Sequence, residues 1–205
     1  MSNTAFQQLT VTQAAEARVS IRKYTDEAVS DETINELIRV AGTAPTPWNL
    51  QPWRIIAVKD KDTLAKLQEA AYGQRQVGSS AVTFVIATDM DDVIATLEDT
   101  VHPGMADRVD ETAKSIRDHF AGYSAADLHW WGRSQGYSFM AYLLLAAQSH
   151  GYATSPMLGF DPAKVKEMFG LGENVQIPAI VSLGRPAEEG FPQFRHPLDR
   201  YVKIV

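Results

Sequence analysis

The sequence predicts a single mixed α+β domain over residues 1–205, with more helix than strand and a C-terminal arm at about 191–205. Three observations carry this. Strand-like and helix-like segments do not alternate regularly, so the β-α-β repeat of a parallel sheet is missing. No Gly-x-Gly-x-x-Gly follows a strand, which argues against a classical dinucleotide fold. The stretch from Ala126 to Ser149 keeps a helical pattern and is apolar nearly all round in its second half, as for a helix buried in a core or a subunit interface.

The elements follow in order. Thr10 and Gln13 have the spacing of a capping box, and a short helix to Ala17 delivers Arg18 at its end. Ser30 caps a second helix in which Ile34, Leu37, Ile38 and Ala41 share one face, and Gly42 stops it. Arg54 to Val58 reads as a strand, Thr63 to Ala71 as a helix and Ala81 to Thr88 as a largely buried strand. Met105, Val109, Ile116 and Phe120 mark another amphipathic helix. After the central helix Gly151 is a stop, and a turn runs through Ser155-Pro156-Met157-Leu158-Gly159. Asp161 and Pro162 then suit the N-cap and first position of a helix. Ile177 to Leu183 is a further strand, and Tyr201 with Val202 to Val205 suggests an extended tail that needs a surface to rest on.

Composition excludes several classes of function. With 25 acidic against 19 basic residues the net charge is -6, which offers no long-range attraction to nucleic acid or an anionic membrane. The chain has no cysteine, so disulfides, thiolate catalysis and iron–sulfur clusters are excluded, and a cytoplasmic setting fits. Residues 1–15 lack the basic and apolar regions of a signal peptide. The longest apolar run, Phe139 to Ala147, is far short of the roughly 20 residues a membrane helix needs. The five histidines show no metal-binding spacing, so no metal is expected.

Two segments carry chemistry. In Arg18-Val19-Ser20-Ile21-Arg22-Lys23-Tyr24 the residues Arg18, Ser20 and Arg22 alternate, so an extended backbone puts two guanidiniums and a hydroxyl on one side as a grip for a phosphate dianion. In Ala44-Pro45-Thr46-Pro47-Trp48-Asn49-Leu50-Gln51-Pro52-Trp53 three prolines stiffen a loop whose amides match the edge of a heteroaromatic ring. Pro45, Thr46 and Asn49 read as ligand contacts there, and Pro52 and Trp53 as structural anchors. A competing string, Gly132-Arg133-Ser134-Gln135-Gly136, has the nucleophile-elbow form of a serine hydrolase using Ser134, with Asp161 and His196 following in order. An elbow needs a strand before it, and His129-Trp130-Trp131 continues a helix instead.

The two segments together resemble the FMN-dependent nitroreductase superfamily, with its Arg-x-Ser-x-Arg/Lys-x-aromatic and Ala-Pro-Ser-x-x-Asn-x-Gln-Pro-Trp motifs. Ser155 to Phe160 is similar to that family's Pro-x-x-Gly-Phe turn, and Phe194 to Leu198 to its basic-x-Pro-Leu element. The resemblance implies a central, mostly antiparallel sheet flanked by helices, in a homodimer with exchanged C-terminal arms and FMN at the interface. It implies phosphate contacts from Arg18, Ser20 and Arg195, and ring contacts from Pro156, Leu158 and Gly159. Pro45, Thr46 and Asn49 approach the flavin from the neighbouring subunit. Gln74 and Gln76 face the pyrimidine half, and Arg22, as the catalytic residue, steadies negative charge at the N1/O2 edge. Where the family often has an acidic residue this chain has Leu158, which leaves only its backbone in that role. The implied activity is ping-pong NAD(P)H-dependent reduction of nitroaromatics, quinones or similar flat acceptors. A flavin store or sensor without turnover is the other reading. Met90 to Ser124 is long enough to cover the site.

Overall fold

A computed structural model describes residues 9–205. Four strands form one antiparallel sheet in the order β1-β2-β4-β3: β1 (Trp53–Val58), β2 (Val82–Thr88), β3 (Ala153–Met157) and β4 (Gln176–Gly184). Every pairing is antiparallel, with Ile55 opposite Ile86, Phe84 opposite Val181 and Thr154 opposite Leu183. The two central strands are buried on both faces, so β2 and β4 read as continuous apolar runs rather than alternating ones.

The local signals fix the helices. Thr10 and Gln13 close the predicted capping box of α1 (Val11–Ala17), and Ser30 accepts from the Thr33 N–H at the start of α2 (Asp31–Ala41). Asp60 caps α3 (Lys61–Ala70), two residues earlier than the periodicity suggests, and the short α4 (Arg75–Gly78) follows. Met90–Ala95 (α5) and Val109–Phe120 (α6) flank single-turn segments, and Ala125–Ser149 forms the 25-residue α7. Asp161 and Pro162 begin α8 (Pro162–Phe169) as expected.

The sheet separates two cores. Val82, Phe84, Ile86, Val181 and Leu183 face Phe139, Leu143 and Ala147 of α7, with Ile34, Leu37 and Ala41 of α2 behind. On the other face Val85, Ile180 and Met157 meet Leu64 and Leu67 of α3 and Val165 of α8. A third cluster joins Leu50, Met90, Leu97, Ile116 and Phe120. The predicted α+β class with an antiparallel sheet is therefore what the chain adopts.

Two local expectations fail. Ser155, Pro156 and Met157 are not a turn but the second half of β3, and only Leu158 and Gly159 turn. Proline is compatible with a strand at a sheet edge, where its missing N–H costs no ladder bond, and β3 is an edge strand. Met105 lies outside the amphipathic helix, in a tight segment over Pro103–Arg108 that kinks at Met105 itself, and α6 begins at Val109. In the tail Leu198–Arg200 makes one tight turn, and the residues after it are exposed.

Candidate active site

Arg18 ends α1 in an extended conformation, and the segment after it runs along the outer edge of β3. Ser20 bridges Thr154, the Ile21 N–H donates to Thr154 O at 3.1 Å, and Tyr24 bridges Pro186. The Tyr24 hydroxyl donates to Ile21 O at 2.8 Å and pairs with Ser182 Oγ at 2.8 Å. Burial pushes that hydroxyl up to about 12, so it stays a neutral donor and pins the segment to the sheet. With Ile21 turned into the protein, the predicted set Arg18, Ser20 and Arg22 lines a cleft of about 210 Å³.

The other wall of this cleft is the tail, Phe191 to Arg195. Gln193 holds it there: its side-chain amide donates to Ala15 O, Glu16 O and Arg18 O at 2.8, 3.0 and 2.8 Å. Those carbonyls are the open end of α1, which needs such a donor. Sequence reasoning missed Gln193, and no motif announces a glutamine whose partners are all backbone. Arg195 thereby comes to the same cleft as Arg18, as the resemblance implies.

Arg18 is the unsatisfied member. Its Nη1 is buried without a hydrogen-bond partner among the described residues. Burial first, and the positive charge of Arg195 second, pull its guanidinium below its ordinary value. Two cations converging on a cleft, one with an orphaned buried donor, form a site for an anion. Arg22 sits at the exposed rim of this cleft, its backbone N–H donating to Glu188 Oε1 at 2.8 Å.

Further along β3 a second group assembles. Gln74 Nε2 donates to Gly159 O at 2.6 Å, and buried Gln76 donates from Nε2 to Gln74 Oε1 at 3.0 Å and to Met157 Sδ at 3.2 Å. A Cβ on Gly159 would lie 3.2 Å from Gln74 Nε2, so the Gln74 amide would have to give by a few tenths of an ångström. Pro156 lies in β3 itself, and Leu158 projects outward, 64% exposed. At about 3.3 Å per residue, Thr154 beside the cleft and Leu158 beside this turn are about 13 Å apart. One strand thus spaces an anion grip from an amide-edged surface.

The loop before β1 is elsewhere. Trp48, Asn49 and Gln51 hold left-handed backbone at φ 52°, 59° and 43°. The Gln51 N–H donates to Thr46 Oγ1, its side chain donates to Asn49 Oδ1, and Asn49 Nδ2 donates to Thr100 O. Trp48 lies against His119 of α6 with ring centres 4.8 Å apart. Pro45, Thr46 and Asn49 therefore lead into β1, at the opposite edge of the four-stranded sheet from the Arg18 cleft. A single chain does not bring them to it. Trp53 is the expected anchor, with its ring 5.4 Å from Phe139, and Pro52 is buried.

Ser134 is no elbow nucleophile. It lies inside α7, and its hydroxyl donates to Trp131 O at 2.6 Å. Asp161 caps α8, while His196 sits in the exposed tail. The two glycines of that string serve packing: a Cβ at Gly132 would lie 2.4 Å from Met90 Cγ, and one at Gly136 2.4 Å from Pro178 Cγ.

Comparison with known proteins places this arrangement. Residues 15–185 match the Nitroreductase family. A protein of Thermus thermophilus named NADH dehydrogenase is 41% identical over 190 residues, covering 92% of this chain and 93% of its own. The Bacillus subtilis protein YdgI, named for NAD(P)H nitroreductase activity, is 33% identical over 193 residues, covering 89% and 91%. A nitroreductase-type protein of Exiguobacterium sibiricum, solved in complex with FMN, superposes with a TM-score of 0.86 over 98% of this chain and all of its own, at 26% identity. The chain belongs to the nitroreductase family and is an oxidoreductase of that class. Among the described residues, no helix is long and apolar enough to cross a membrane.

Proposed function

We propose that this chain is an FMN-dependent NAD(P)H oxidoreductase that reduces nitroaromatics, quinones or related flat acceptors in two alternating half-reactions, as a homodimer in the cytoplasm. The observation that carries the proposal is the orphaned Arg18 Nη1 in a cleft shared with Ser20 and Arg195. A phosphate satisfies that donor and relieves the repulsion between the two arginines. The Exiguobacterium relative, in complex with FMN, supports the choice of phosphate ligand.

When bound, FMN supplies the two-electron chemistry, and the protein binds and orients. Arg18 and Arg195 would hold the phosphate, with Ser20 donating from its hydroxyl. Gln74, fixed by Gly159 O and Gln76, holds the turn at Leu158 and Gly159, which would offer its backbone to the ring. The Gly159 backbone, free of a Cβ, would allow a close approach. Arg22, at the rim, would supply a positive charge beside a reduced, negatively charged flavin. Pro45, Thr46 and Asn49 of a second subunit complete the ring pocket, because their own chain carries them at the far edge of its sheet.

The test is an absorption spectrum of the purified protein followed by anaerobic titration with NADH and NADPH. A flavin spectrum that bleaches with either nucleotide and returns with a quinone is expected. A bound flavin that neither nucleotide reduces makes the protein a store or sensor, and absence of flavin uptake overturns the proposal.

A further inference from the structure

After β4 the backbone is bonded to the body as far as Ala187, whose N–H donates to Lys23 O at 3.0 Å, and Glu188 Oε1 then accepts from the Arg22 N–H. Beyond that point, among the described residues, every polar bond that ties residues 189–205 to the rest of the molecule comes from one side chain, Gln193. The other bonds of the tail are internal: Arg195 to Phe194 O, Arg200 to His196, and the turn at Leu198. Ala15 O, Glu16 O and Arg18 O are carbonyls at the open end of α1, and the last turn of that helix has no basic residue to meet them. Three oxygens around one atom admit only the nitrogen side of the amide, which fixes how the Gln193 side chain points. The anchor lies between the two cations of the cleft. It bonds the carbonyl of Arg18 itself, and Arg195 is two residues further on, at most about 7 Å of extended chain. With no anion between them the two guanidiniums repel, so the tail stays at the cleft only if something else holds it.

We propose that Gln193 is a positioning residue for cofactor binding: by locking the tail to the end of α1 it holds Arg195 beside Arg18 against their repulsion, so that the grip for a phosphate monoester is assembled before the ligand arrives. The inference rests on the FMN reading above. Gln193 has no charge and spends its amide donors on carbonyls, so it acts through Arg195 and not on the phosphate. A preassembled pair of arginines spares the ligand the cost of ordering the tail. With the amide gone, water serves the carbonyls and Arg195 is free to leave with the tail. Arg18 remains, because α1 carries it.

The experiment measures FMN affinity by fluorescence titration of the full-length protein, freed of flavin, in a cycle of four: the parent, Gln193→Met, Arg195→Ala and the double variant. Methionine matches glutamine in length and removes only the donor. Gln193→Met is expected to weaken FMN about tenfold in the parent, and by less than about twofold once Arg195 is alanine, because its effect runs through that residue. A side chain that merely capped α1 would cost the same in both backgrounds. Gln193→Lys, whose ammonium can donate to the same carbonyls, is expected to return to within about threefold of the parent affinity, and only where Arg195 is present. Unchanged FMN binding in Gln193→Met overturns the role, as does an equal loss in the two backgrounds. A gain from Gln193→Lys in the Arg195→Ala background also overturns it, since position 193 would then reach the phosphate directly. Failure of the parent protein to take up FMN overturns the function proposal instead, and absorbance reads that first.

Discussion

Along β3 the chain gathers Arg18, Ser20, Arg22 and Arg195 at one end and Gln74, Gln76, Leu158 and Gly159 at the other, yet leaves the Arg18 guanidinium short of a partner. Before β1, on the opposite edge, Thr46, Asn49 and Gln51 bond to one another and to Thr100 O. The β3 side is a grip waiting for a ligand. The β1 side is a stiff loop whose shape is set in advance. The difference assigns them different energetic duties: the first gains hydrogen bonds only on binding, and the second offers preorganised surface at little ordering cost.

The strongest way to break this contrast is Arg18→Met. Two charge-assisted bonds at about 1.5–3 kcal/mol each amount to about two to four orders of magnitude in FMN affinity. The same change removes a half-buried charge whose Nη1 is unsatisfied, so the flavin-free protein should melt no lower than the parent. Arg195→Ala, in the exposed tail, is expected to weaken FMN by only about one to two orders. Fluorescence titration and thermal melts check both. Equal losses would mean that the buried orphan has no special part.

Mixing two defective chains sharpens the contrast. If each site takes its anion grip from one chain and its loop from the other, Arg18→Met and Asn49→Ala homodimers are impaired in every site, while each mixed dimer regains one intact site. Random re-pairing at equal amounts should then restore about a quarter of the sites, read as bound flavin after dialysis. No restoration would mean that one chain builds its whole site.

The smallest effect concerns Arg22. If its side chain reaches from the rim over the ring edge, a contact worth about 1.5–3 kcal/mol more to reduced than to oxidised flavin makes Arg22→Ala lower the midpoint potential by about 30–60 mV. Potentiometric titration decides. Weaker binding with an unshifted potential would make Arg22 a further anion ligand beside Arg18, as its place in the cleft wall also permits.

Much of this was legible in the sequence because it depends on neighbours along the chain. The capping box at Thr10, the N-caps Ser30 and Asp161, the stop at Gly42 and the buried face of α2 are each set within a few residues. The alternation that puts Arg18, Ser20 and Arg22 along one cleft is a property of extended backbone, which β3 then enforces. Pro156 misled for the converse reason. A proline reads as a turn until the sheet order shows that its strand lies at an edge.

By itself the sequence determined the α+β class, the longer helices with the caps Thr10, Ser30 and Asp161, and the side-chain chemistry of the Arg18 to Arg22 segment, all consequences of local periodicity and side-chain type. Only the tertiary structure decided that Gln193 ties the tail to the end of α1, that Gln74 braces Gly159 across 85 residues, and that the Pro45 to Asn49 loop stands at the other edge of the sheet. Those facts rest on partners distant in the chain, several of them backbone carbonyls that every residue possesses. No residue pattern records which carbonyl a folded chain will leave open.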